Sequence, residues 1–189
     1  MAFARSSIRA TRDRSTGQAL AEFALLVPVL ILILLAIIQL AFIFAAQVGI
    51  TNSVREAARL AAVTSPTSTA GQASSNGQGV YDALTNTTNG FLKRNVFSYA
   101  AANLVTTGSP DTSVCYQSFT DSAGKSAIEV SVEANYRHPL FIPIVGAIVD
   151  GIDGSSDGAL RVGATEEMRV ENEELPPSFG GLALTCYNP

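Results

Sequence analysis

Residues 23–50 read FALLVPVLILILLAIIQLAFIFAAQVGI, and no charged side chain occurs from Phe23 to Val54. About 20 helical residues cross a hydrocarbon core about 30 Å thick, so the run has residues to spare. A helix of a water-soluble core would carry a polar stripe, whereas the polar side chains before Asn52 are Gln39, Gln47 and Thr51 alone. The run therefore predicts a transmembrane helix. A cleavable secretory signal has an apolar region of about 7–15 residues ending in a small-x-small site. Here the run is far longer, and cleavage after Ala46 would place bulky Phe44 at the −3 position.

Working outward, Arg5, Arg9, Arg12 and Arg14 precede the run against Asp13 alone, while Arg55, Glu56 and Arg59 follow it and nearly cancel. The basic flank stays in the cytoplasm, which predicts a single-pass protein of the cytoplasmic membrane, N-terminus inside and C-terminal bulk outside. Two residues are unusual for a plain anchor. Glu22 stands where the run begins, and a carboxylate entering a bilayer is costly enough to read as functional. Pro28 lies within the run, where it removes a helix hydrogen bond and favours a kink.

Gly17-Gln18-Ala19-Leu20-Ala21-Glu22-Phe23 resembles the processing site of type IV pilin-like proteins. The longer string from Gly17 to Ala62 resembles the TadE-like family, the minor pilins or pseudopilins of the Tad (tight adherence, Flp-type) pilus system. Gly17, Glu22, Phe23, Ala24, Pro28, the apolar run and the Asn52…Arg55-Glu56-Ala57-Ala58-Arg59 close carry the resemblance. It implies cleavage by a prepilin peptidase after Gly17, on the cytoplasmic side, leaving Gln18 first and Glu22 fifth. It further implies that Glu22 pairs with the N-terminal amine of a neighbouring subunit and sets axial register, as buried polar groups do elsewhere. The helix would then assemble with other pilin-like subunits and the pilus assembly platform through residues such as Glu22, Pro28, Arg55, Glu56 and Arg59. Type IV pilins open on phenylalanine, and Gln18 departs from that.

With 189 residues the chain holds one domain beside its anchor. The expected organisation is a basic leader over 1–17, a transmembrane, pilin-like helix over 18–63, a linker over 64–79 and an extracytoplasmic domain over 80–189. Ile50, Val54, Ala57, Ala58 and Ala61 recur at helical spacing beyond the membrane, up to a stop at Pro66. Residues 64–79 hold Gly, Ser, Thr, Gln and Asn with no large apolar side chain, the composition of a linker. One or two short helices follow, broken near Asn89-Gly90. Residues 113–121 form a loose strand, and in residues 126–137 Ile128, Val130 and Val132 alternate with Glu129, Ser131 and Glu133, as a half-buried antiparallel strand does. HPLFIPIVGAIVDG, residues 138–151, is apolar but too short to cross a bilayer, and reads as a core-packing loop or short helix, with a membrane-surface contact as the minor alternative. Residues 159–171 close the sheet, and the tail from Pro176 reads as loop. The fold class is α+β: a long N-terminal helix, then a small domain of short helices and an antiparallel sheet.

Charge excludes one class of function. Before residue 66 there are six Lys/Arg against three Asp/Glu, and from there onward six against thirteen. So acidic a domain repels nucleic acid. Cys115 and Cys186 are too far apart for a CxxC motif, and in an exported domain they predict a disulfide. Asp150, Asp153 and Asp157 lie among glycines, yet without EF-hand spacing, so a solvated turn is favoured over calcium. A lone histidine, His138, and the absence of GxSxG, HExxH or phosphate-loop patterns argue against an enzyme, and no cofactor is expected. The leading function is a processed minor pilin-like subunit. The alternative is an unprocessed, membrane-anchored extracytoplasmic binding module.

Overall fold

The computed structural model describes residues 12–64, 69–108, 111–120, 122, 124–153, 157–171 and 181–188. Helix α1 runs Arg12–Val63, about 78 Å at 1.5 Å per residue. It begins upstream of the expected Gln18, because one glycine inside a helix costs only about 1 kcal/mol relative to alanine and does not stop it. The helix passes through Pro28 without interruption.

The domain builds on the outer half of α1. Ile50, Val54, Ala57, Ala58 and Ala61 are all fully buried, and their three- and four-residue spacing puts them on one stripe. Small alanines let the sheet and the other helices come close. Strands β1 (Ser113–Thr120), β2 (Ser126–Pro139), β3 (Ala159–Arg169) and β4 (Thr185–Tyr187) form an antiparallel sheet in the order β3-β2-β1-β4. Within β2, Ile128, Val130, Val132, Ala134 and Tyr136 are buried, whereas Glu129, Ser131, Glu133 and Asn135 are partly exposed. The buried face of β2 and β3 rests on α1. Helix α2 (Ala70–Thr85) covers β1 and β4, and α3 (Phe91–Asn95) wedges between α1 and α2. This is the α+β arrangement expected.

Two local expectations change. The stretch 64–79 reads as a linker, yet α2 starts at Ala70. Thr69 caps it reciprocally: its hydroxyl accepts from Gln72 N at 3.3 Å, and its own N–H donates to Gln72 Oε1 at 3.1 Å. Small residues here mean close packing rather than slack. A Cβ on Gly77 would come within 2.9 Å of Tyr187 Cβ, so only glycine lets α2 lie this near β4. The tail reads as loop, yet residues 185–187 add an edge strand with Cys186 opposite Cys115. The two cysteines are joined by a disulfide.

The predicted break near Asn89-Gly90 is present: α2 ends at Thr85, and Gly90 is the N-cap of α3. The apolar cluster after β2 forms a helix, α4 (Pro143–Asp153), with Pro143 at its first position, where a missing N–H costs nothing. Leu140 and Val149 pack against the core as expected, but the outward face of the helix does not. Ile144 and Ile148 are each 64% exposed. With no charged residue between Pro139 and Val149, no polar stripe is there to direct a buried face.

Candidate functional site: the exposed helix and its junction with the domain

From Gly17 to Phe42, α1 stands largely clear of the domain, with Leu20, Phe23, Leu25, Leu26 and Leu30 all well exposed. Its most apolar 18-residue window has a mean hydropathy of 3.1. A helix so apolar and so little covered by its own chain is long enough to cross a membrane.

Gly17 and Gln18 are exposed, and a Cβ on Gly17 would meet nothing within 4 Å. Gln18 Nε2 donates to Glu22 Oε1 at 3.1 Å, one turn along the helix. The Glu22 carboxylate is therefore exposed at the start of the apolar run, held by an i,i+4 partner that another donor can replace. Phe23 follows it, exposed, and Pro28 lines an apolar groove with Val27, Ile31 and Leu32.

Arg55 and Glu56, expected to take part in assembly, are solvent-exposed and also reach the domain. Arg55 Nε lies 3.6 Å from Glu166 Oε2 on β3, and Glu56 pairs with Arg94 on α3. Both pairs are solvent-exposed, where such bridges contribute about 0–1 kcal/mol, so they orient more than they stabilise. Arg59 is exposed and lines a groove with Met168, Val170 and Glu171.

Buried polar side chains of α1 do more to fasten the domain. Gln39 is fully buried, and its Oε1 accepts from Phe141 N at 3.1 Å and Ile142 N at 3.2 Å. Two turns on, Gln47 Nε2 donates to Gly163 O on β3 at 2.8 Å. Ser53, also buried, donates to Gly49 O and accepts from Asn95 Nδ2. At Gly49 itself, an added Cβ would clash with the Asn95 carbonyl, so α3 touches the bare backbone of α1. Sequence reasoning noted Gln39 and Gln47 only as departures from an apolar run. Their separation of eight residues, which puts both on one helix face, was the available signal.

Phe42 stacks on Phe97 at 5.5 Å between ring centroids and meets Phe141 edge-on at 5.9 Å. His138, fully buried at the end of β2, meets Phe141 edge-on at 5.8 Å. Burial lowers the His138 pKa by disfavouring the charged ring. Tyr81, Tyr99 and Tyr116 are pushed up to about 12, chiefly by burial. These are buried core groups.

The calcium alternative finds no focus. Asp157 Oδ2 lies 3.6 Å from Arg137 Nη1, and Asp157 Oδ1 accepts from Ala159 N at 3.1 Å. The side chains of Asp150 and Asp153 lie outside the described residues. Among the described residues no group of three His, Cys, Asp or Glu side chains is placed to hold a metal.

Fold and site together define a chain with one membrane-capable N-terminal helix and an α+β domain mounted on that helix's far end. Residues 17–59 match the model of a family described as TadE-like protein, a family that points to a Tad pilus-associated protein. The match covers the helix and stops before the domain. No curated protein and no solved structure matches the chain.

Proposed function

We propose that the protein is a minor pilin-like, TadE-like subunit in the biogenesis of a Tad/Flp-type adhesive pilus. The observation that carries this reading is the family match over residues 17–59, taken with an exposed Gly17-Gln18 bond one helical turn before Glu22. Prepilin peptidase cleaves after Gly17 while the basic leader holds that bond at the cytoplasmic face. The helix is then stored in the membrane, with the acidic domain outside. On assembly it packs against other pilin-like helices on the assembly platform. The new amine at Gln18 and the Glu22 carboxylate carry opposite charges. Pairing between subunits relieves the cost of burying either one and fixes their axial offset.

Family resemblance supports a structural role over an enzymatic one. On this reading the intersubunit surface includes the exposed apolar part of α1, with Glu22 as its polar mark. Glu22→Ala tests that assignment. Membrane insertion is retained, and recovery of the subunit in pilus-associated fractions falls. Unchanged assembly would remove the register role.

A further inference from the structure

We propose that residues 140–149, comprising the turn after β2 and the first part of α4, are inserted in the membrane beside α1, with lipid acyl chains covering Ile144 and Ile148. This rests on α1 spanning the bilayer. If the hydrocarbon begins at Phe23, about 20 helical residues carry α1 to its far edge near Phe42. Ile142 and Ile144 share an open apolar groove with Val27, Pro28, Ile31, Leu32 and Leu35 of α1. Leu35 is about 10 Å inside Phe42 along the helix axis. Ile142 and Ile144 therefore lie below the level at which α1 leaves the hydrocarbon.

Its chemistry suits that position. No charged side chain occurs between Pro139 and Val149, and two isoleucines are mostly exposed. The apolar surface they form continues that of α1 across the groove, so the medium that covers one covers the other. Backbone groups point the same way. In lipid, a non-helical turn is tolerated only where its polar groups are satisfied by protein. Leu140 N donates to Gly158 O at 3.0 Å, the N–H groups of Phe141 and Ile142 both go to the buried Gln39, and Pro143 has none to satisfy. A turn facing water would need no such acceptor.

Phe42, Phe97 and Phe141 mark the border. Phe97 is 61% exposed, presented by a turn in which Ser98 takes a left-handed φ of 57°. On the polar side of that border Arg137 pairs with Asp157. The apolar segment is too short to cross, so it enters and returns on the domain's side. It would thereby fix the domain's tilt and height above the membrane.

The chain contains no tryptophan, so one introduced residue reports alone. Ile148→Trp, Ile144→Trp and, within α1, Ile33→Trp are made in the full chain and reconstituted in phosphatidylcholine vesicles with brominated acyl chains. Emission from all three is blue-shifted, lost to the brominated lipid and insensitive to aqueous iodide. Loss to iodide at Ile148→Trp and Ile144→Trp, with Ile33→Trp still quenched by the lipid, overturns the insertion of α4 alone. Loss to iodide at all three overturns the membrane reading of α1 and the insertion with it. Shielding of the two α4 positions from both quenchers overturns lipid as the cover and assigns it to protein, such as a second copy of this chain.

Discussion

Gln39 concentrates the conflict between an apolar helix and a domain that must be held to it. An uncharged amide there costs far less to bury than a carboxylate, and its one oxygen satisfies two backbone donors. Its Nε2 has no hydrogen-bond partner among the described residues, so part of that gain is offset. Gln39→Leu removes the orphaned Nε2 but strands the N–H groups of Phe141 and Ile142. A net destabilisation of about 1–3 kcal/mol is expected, with faster amide hydrogen exchange at those two residues and little change in β2. Gly17 and Glu22 stand out in the sequence because the pilin-like pattern is ordered along the chain. Gln39 was not, because a polar residue within an apolar run does not say which distant backbone it meets. Nor were the intrachain partners of Arg55 and Glu56: the charges are plain, but Glu166 and Arg94 come to them only through the fold.

Among the elements, α1 and β2 were the most legible, one from an uninterrupted apolar run and the other from strict alternation. Helix α2 was hidden because Ala73, Gly77 and the serines around them lack the large apolar side chains that signal a buried face. Ala73 and Gly77 are nonetheless buried, since bare backbone is what lets the helix approach β1 and β4. The capping box at Thr69 and Gln72 was the readable sign of its start. Thr69→Ala is expected to cost about 1 kcal/mol, seen as a lower unfolding midpoint and faster exchange at the first amides of α2. Helix α4 was anticipated as a short apolar element but assigned to the core. Leu140 and Val149 do meet the core, but the sequence carries the hydrophobicity of the outward face without the medium it faces, and the place of Ile144 beside Val27 and Leu35 is what favours the membrane alternative.

At the scale of the molecule, one helix serves two ends: an exposed half apolar enough to cross a membrane, and an alanine-lined half that forms part of the domain's core. The sheet's last strand has only three residues, and the disulfide between Cys115 and Cys186 closes a loop across a sequence separation of 71 residues. Loop closure of that length is worth about 4 kcal/mol in the chain-entropy view. The double variant Cys115→Ser/Cys186→Ser should therefore unfold at markedly lower denaturant, with β4 released first and α1 still helical. Disulfides persist in oxidising compartments, so the pair fits the proposed topology with the domain outside the cytoplasm.

Processing after Gly17 is the step that separates a pilin-like subunit from a permanently anchored module, and the mass of the N-terminus reads it directly. The full chain is expressed with and without its host's prepilin peptidase, and the membrane-bound protein is measured by mass spectrometry. A start at Gln18 that depends on the peptidase is the result expected. An intact leader under both conditions would contradict the account and leave the chain an unprocessed membrane-anchored domain.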